Sequence, residues 1–390
     1  MDKLKRLVNR LKTDAKPKAG ETVFQRLTKP ETAFLAKDEI INDLSLRLLK
    51  YYQVSGEDQI LISPYSLISA LLALYLASSQ GTETLLRRFF GQVTAEELYE
   101  QVRQTDQQIT GTQQVITSNH ILLRADIPTH QSYLDRVQPM FLFETFKPGQ
   151  TQRTVSYINR LVRAKTKGLI PTILDELSDC DIEVILNVIY FKSHWATKFQ
   201  RSNTYNKTFK AKVPRTVPMM TQYNETHRYT EIVGCQVLEM DYEGNHFAMG
   251  FVLPKKEKEL PKLDHKDLHE AINALEETTI NKLEIPRFRL EKEMDLEPCL
   301  RYHGLDELFS NCDLGRMTDL DGIAVSKVIQ KAVIIVDEEG VEAAATTAVV
   351  CVRECYRAPS VIINFIADCP FMFYIRHKAT GTLLFIGYYQ

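Results

Sequence analysis

Few residues in this 390-residue chain have the types and spacing for chemistry. Cys351 and Cys355 are potential nucleophiles, and one of the nine histidines could serve as the base a cysteine hydrolase needs. His265 and His269 stand four apart and could share a helix face as metal ligands. Lys266, Asp267 and Glu270 surround them, however, so a solvated charged face is the better reading. The chain has no Gly-x-Ser-x-Gly elbow, no His-Glu-x-x-His helix and no Gly-rich phosphate loop. Neither a metal nor a cofactor is therefore expected. Asn206-Lys-Thr and Asn224-Glu-Thr are glycosylation sequons, meaningful only on an exported chain.

The composition, 44% hydrophobic and 25% charged, suits a large buried core in one large domain or two modest ones. A net charge of -2 gives no case for nucleic acid, and no apolar run approaches the length of a membrane span. The seven cysteines are scattered and odd in number, which favours reduced thiols over a disulfide framework. Residues 1–30 form an N-terminal extension. Within it Lys3, Lys5, Arg6, Arg10 and Lys12 alternate with Leu4, Leu7, Val8 and Leu11 at helical spacing, without the apolar stretch of a signal peptide. A cytoplasmic chain is expected, with non-classical export as the alternative.

Several segments read as regular elements. Asp38 to Tyr52 is an amphipathic helix. Ile60-Leu-Ile is a short buried strand, halted by Pro64, that leads into a helix through Leu71, Leu72, Leu74 and Leu76. Thr94-Ala-Glu-Glu97 is a capping box, and Val155, Ile158, Leu161 and Val162 mark a helix ending near Gly168. Val184 to Phe191 reads as a strand; Val217 to Met220, Gln236 to Tyr242 and Phe247 to Pro254 read as strands broken by Pro and Gly. The run Val328 to Val336 ends as a strand buried on both faces.

After that run comes Glu338-Glu339-Gly340-Val341-Glu342-Ala343-Ala344-Ala345-Thr346-Thr347, a stretch in which Ala favours helix while Thr and Val favour strand. Laid out with period two, Val341, Ala343, Ala345 and Thr347 face one side. They are small enough to enter a packed sheet, with no Pro or charge to forbid ladder bonds.

Together with Phe365-Ile-Ala-Asp-Cys-Pro-Phe371 and Leu384-Phe-Ile-Gly387, this stretch resembles the hinge and C-terminal signature of the serpins, protease inhibitors with an exposed reactive loop. The resemblance covers roughly residues 31–390, read as a single serpin domain. It extends to Ser63-Pro-Tyr-Ser66, to Asn159 with Thr166-Lys-Gly168, and to Asn187, Tyr190-Phe-Lys192 and Trp195. It implies an α+β fold with a large central mixed sheet, two further sheets, about nine helices and a reactive loop over about 338–359. Ser63, Ser66, Asn187 and Gln330, with Asn159 on the helix in front, would form the cluster beneath the sheet where it must part. Gln330 and Cys369 stand where the family commonly has histidine. Trp195 would lie where the loop first enters, and Arg287 would pair with Glu338.

The activity implied is suicide inhibition of a serine protease, with cysteine proteases as cross-class targets, by a chain expected to be monomeric. Counting from Gly340 places the reactive bond at Glu354-Cys355; Arg353-Glu354, one step earlier, would suit a trypsin-like enzyme, and Arg357 lies further off. Two alternatives stand beside this reading. One is a non-inhibitory serpin acting as a binding or chaperone protein, and the other is a cysteine hydrolase.

Overall fold

The computed structural model describes residues 39–55, 59–232, 234–256, 260–261, 263–340 and 362–390. The N-terminal extension 1–30, the hinge residues Val341 to Thr347 and the bond candidates Arg353, Glu354 and Cys355 lie outside the described residues. The chain divides into two compact units, each assembled from separate stretches.

The first unit comprises residues up to Tyr190, Glu291–Val333 and Thr382–Phe385. Its helices are α1 (Glu39–Ser55), α2 (Pro64–Ala77), α3 (Gln80–Phe89), α4 (Ala95–Thr110), α5 (Gln131–Val137), α6 (Thr151–Lys165) and α8 (Glu297–Tyr302). α2 follows the three-residue strand β1 (Ile60–Ile62). Every residue of α2 is buried, so it is the unit's central helix and not an amphipathic surface one. Pro64 does not merely halt the strand. It occupies the first helical turn, where a missing N–H costs nothing, and Ser63 caps the helix by accepting from the Ser66 amide. α4 begins with the reciprocal Thr94–Glu97 capping box. α6 ends through Gly168, which takes a φ of +84° and donates to the Arg163 carbonyl at 2.7 Å.

Five strands form this unit's sheet, in the order β10 (Phe288–Asp295), β11 (Val325–Val336), β4 (Glu183–Phe191), β2 (Val115–Arg124) and β3 (Leu142–Phe146). β4 is buried along its whole length. β11 runs parallel to β4 and pairs with it directly, Val325 opposite Glu183 and then Lys327–Val333 opposite Val184–Tyr190, with a register shift after Val325.

The second unit comprises Phe191–Leu290, Ile334–Gly381 and Ile386–Gln390. Its strands run in the order β13 (Phe371–His377), β8 (Phe247–Pro254), β7 (Cys235–Asp241), β6 (Arg215–Ile232), β9 (Glu276–Pro286) and β12 (Asn364–Ile366), with β5 (Tyr205–Phe209) off β6. Helix α7 (His265–Asn273) belongs here, and β14 (Leu383–Tyr389) ends the chain. Among the described residues the two further sheets expected are thus one. The eighteen-residue β6 pairs with β5 near its start, with β9 along its middle and with β7 near its end, which joins them. Eight α-helices are present among the described residues.

Two breaks read from the sequence are not breaks. Pro218 lies inside β6, where its carbonyl accepts from the Arg287 amide at 2.8 Å. Gly250 lies inside β8 because the ring of Tyr374 crosses it; a Cβ there would be 2.0 Å from that ring. The Tyr374 hydroxyl donates to Glu239, whose buried carboxylate also takes two bonds from Arg376, at 2.6 and 3.0 Å. That charge is buried with its partners, as a buried charge must be.

Candidate functional site

The residues singled out from the sequence fall into two groups, one in each unit. In the first unit, the side chain of Gln330 on β11 reaches the turn before α2. Its Oε1 accepts from the Ser63 amide at 2.9 Å, and its Nε2 donates to the Ser63 carbonyl at 2.8 Å. Glutamine both donates and accepts, so one neutral side chain satisfies both backbone groups of a buried residue. Ser66 joins only through its amide, at 3.3 Å from Ser63 Oγ; its own hydroxyl has no hydrogen-bond partner among the described residues.

Asn187 lies opposite Gln330 in the β4–β11 ladder, but its side chain reaches the neighbouring strand β2 and not the turn before α2. Its Nδ2 donates to Asn119 Oδ1 on β2 at 2.5 Å, and its Oδ1 has no partner among the described residues. The single cluster expected is therefore two, Gln330 with Ser63 and Asn187 with Asn119. Asn159 belongs to neither. It pins the segment after α6, donating to the Leu174 carbonyl at 2.7 Å and accepting from the Ile173 and Leu174 amides at 2.9 and 3.1 Å.

Beside Asn119 the buried His120 bonds Ser118 at 2.8 Å, and burial pushes its pKa down to about 4. Sequence reading missed this Ser118-Asn119-His120 group. Three consecutive polar residues inside a buried strand were the available signal. Glu183 was missed too. It is fully buried at the start of β4, neither carboxylate oxygen has a partner among the described residues, and burial pushes its pKa up to about 7.

The second unit holds the hinge. Asp337 turns the chain at the end of β11, its Oδ1 accepting from the Glu339 and Gly340 amides at 3.0 Å each. The main chain then lies along the Trp195 segment: Trp195 N donates to the Glu339 carbonyl, Phe199 N to the Glu338 carbonyl, and the indole Nε1 to the Asp337 carbonyl, all at 2.8 Å. Gly340 takes a φ of +113°, and a Cβ there would be 2.5 Å from the Ser193 carbonyl and 2.6 Å from Trp195 N. Only glycine fits, for steric and torsional reasons together. Trp195 is held by stacking on Tyr242, with centroids 4.4 Å apart and planes within 10°.

Both hinge glutamates are buried, Glu338 at 4% and Glu339 at 9% exposure. Glu338 Oε1 accepts from Thr204 Oγ1 at 2.8 Å and lies 3.5 Å from Arg287 Nη1; Glu339 meets Arg201 at 3.1 Å and Lys198 at 3.9 Å. The structure thus places Arg287 beside Glu338. It adds Thr204, Arg201 and Lys198, which had no sequence signal because all three come from the irregular segment between β4 and β5. An open cleft of about 840 Å³ adjoins the hinge, lined among others by Arg201, Tyr205, Arg287, Arg289, Asp337 and Glu338.

His265 and His269 sit on α7, whose capping box is Asp264 with Asp267. Among the described residues no group of three or more His, Cys, Asp or Glu is placed to hold a metal ion. The candidate nucleophiles Cys351 and Cys355 lie outside the described residues.

Residues 39–390 match the family model Serpin (serine protease inhibitor). The human leukocyte elastase inhibitor is 32% identical over 357 residues, covering 84% of this chain and 92% of its own. Human serpin B4 is 30% identical over 376 residues, covering 87% and 95%. Among solved structures, human thyroxine-binding globulin complexed with thyroxine superposes with a TM-score of 0.80 at 25% identity, covering 90% of this chain and 97% of its own. Maspin does so with a TM-score of 0.80 at 20% identity, covering 90% and 98%, a likeness of fold alone.

Proposed function

This chain belongs to the serpin family, and on that premise we propose that it is a suicide inhibitor of a serine protease, with cysteine proteases as cross-class targets. The observation that carries this reading is the direct parallel pairing of β11 with β4. A chain that leaves β11, turns at Asp337 and runs back would enter between those strands antiparallel to both. One ladder would be exchanged for two, and the small face Val341, Ala343, Ala345 and Thr347 would be buried without overfilling the sheet. At about 0.5–1.5 kcal/mol net per main-chain bond, a strand of this length releases many kcal/mol. The uninserted form is then metastable.

The protease attacks the exposed loop at Glu354-Cys355, or at Arg353-Glu354, and forms an acyl-enzyme. The severed hinge enters the sheet. About fourteen residues at roughly 3.3 Å each correspond to a translation of roughly 45 Å. An enzyme dragged that far against the inhibitor body loses the sub-ångström alignment that deacylation needs. Insertion has to outrun hydrolysis of the ester.

Carrier function is the second reading, favoured by the thyroxine-bound relative of the same fold. The two separate on one gel: mixed with a protease panel, an inhibitor gives an adduct that survives boiling in detergent, and a carrier gives only clipped chain. Ala345→Arg or Ala343→Pro then converts inhibitor to substrate, and an unchanged stoichiometry of inhibition would contradict the insertion step. The mass of the released C-terminal peptide identifies the bond.

We assign the chain to the cytoplasm. Cys180, Cys235, Cys299 and Cys312 are free thiols, the last three buried, and a relative from Tachypleus tridentatus, 29% identical over 371 residues, is named intracellular coagulation inhibitor 2. Absence of glycan on Asn206 and Asn224 in the purified protein agrees with that assignment; glycan on either overturns it.

A further inference from the structure

The charges around the hinge are arranged unevenly. Its described carboxylates are turned inward, the half-buried Asp337 to the Glu339 and Gly340 amides and the buried Glu338 to Thr204. The basic side chains that face them are exposed, Arg201 at 72% and Arg287 at 50%. The contact of Arg287 with Glu338, at 3.5 Å, is longer than a good hydrogen bond. A guanidinium has five N–H donors, so one carboxylate contact leaves most of its donors directed elsewhere.

Arg201, Arg287 and Arg289 come from two segments, a single 3-10 turn (Arg201–Asn203) and the start of β10, where Arg287 immediately precedes the strand and Arg289 lies on its exposed side, and all three line the 840 Å³ cleft. We infer that this cleft binds the diphosphate group of a small molecule, and that the bound anion draws Arg201 and Arg287 away from Glu339 and Glu338, loosening the hinge. Phosphate oxygens pair with guanidinium in the same forked geometry that carboxylates use, with more charge. A diphosphate presents two linked sets of such oxygens, one for the guanidinium of each segment. A long polyanion running through the cleft would meet Asp337 and Glu338, which are lining residues too. The exposed ring of Tyr205, at 42%, lies in the same wall and offers a stacking face to a nucleobase on the diphosphate.

Binding is independent of whether the chain inhibits a protease; its effect on the hinge rests on that reading. Titration calorimetry of the full chain with inorganic pyrophosphate, at fixed ionic strength, is expected to show one site. Arg289→Gln and Arg201→Gln are each expected to weaken it about tenfold while the protein still melts cooperatively. Absence of binding, binding by both variants as tight as that of the parent, or an equal response to inorganic sulfate would overturn the site. Tighter binding of ADP than of pyrophosphate supports a nucleotide as the source, and equal binding supports the diphosphate alone.

The hinge effect is read separately, as the rate at which the loop-clipped protein acquires heat resistance. Pyrophosphate is expected to raise that rate several-fold, and Arg201→Gln to raise it without pyrophosphate. An unchanged rate at saturating pyrophosphate overturns the coupling and leaves the site intact. If clipping never brings heat resistance, the inhibitor reading fails instead, whatever the calorimetry shows.

Discussion

Glu183 offers the sharpest test of how the first unit is held together. It opens β4, lies opposite Val325 where the β4–β11 ladder begins, and has no hydrogen-bond partner for either oxygen among the described residues. Its electrostatic influence falls on the buried Tyr133 and on Cys312, neither of which offers a compensating positive charge. Burial raises its pKa from 4.5 to about 7. The sign follows directly. Below about 4.5 the carboxyl is protonated folded or unfolded and has no effect. As pH rises from there the unfolded chain ionises first, so native stability falls until the folded carboxyl also ionises near 7.

At about 1.4 kcal/mol for each tenfold, the loss is about 1.4 kcal/mol by pH 5.5 and about 3 kcal/mol by pH 8. For a chain of this size, with an unfolding entropy of about 2.1 cal/mol/K per residue, the difference of about 2 kcal/mol between those pH values by itself lowers the melting midpoint by about 2 °C. The buried His120, His227 and His303, pushed down to about 4, stay neutral in the folded protein across that window, while the unfolded chain still takes up their protons below about 6.5. Their contribution therefore rises with pH, opposite in sign to that of Glu183, and the Glu183 part is read as the difference between parent and variant. Glu183→Gln abolishes this part of the pH dependence, and Glu183→Leu also raises the midpoint at pH 8. The assay is a set of melting curves at matched ionic strength from pH 5.5 to 8. Identical pH dependence in the parent and in Glu183→Gln would refute an ionisable, unpaired carboxyl at this position.

Four further outcomes are expected. Gln330→Ala leaves the buried Ser63 amide unsatisfied and its carbonyl with only the Leu67 amide, and lowers stability by about 1–3 kcal/mol in denaturant titration. Gly340→Ala places a Cβ against the Ser193–Trp195 backbone at a φ that alanine avoids; unseating of the hinge should appear as a change in Trp195 fluorescence and a loss of about 1–3 kcal/mol. Arg376→Met leaves Glu239 with less compensation for its buried charge and costs about 3–5 kcal/mol, measured by denaturant midpoint. Arg287→Ala, which removes a half-exposed partner at 3.5 Å, costs under about 1 kcal/mol.

Patterns local in the chain could be read from the sequence by itself. The Thr94–Glu97 box, the helix end at Gly168, the buried run of β4 and the small residues after Gly340 all follow from propensity, capping and period, and none needs a distant partner. The resemblance to serpins likewise rests on motifs spaced along the chain, which is why family and fold class were legible. What tertiary structure alone decided are pairings between residues far apart in sequence. That Asn187 bonds Asn119 and leaves Gln330 to Ser63 depends on which neighbouring element each side chain reaches in the packed unit. That Pro218 and Gly250 lie inside strands depends on Arg287 and Tyr374, each brought alongside by another strand. A glutamate at position 183 reads as an ordinary surface residue until three-dimensional packing closes over it, because solvation is a property of the folded surroundings and not of the residue.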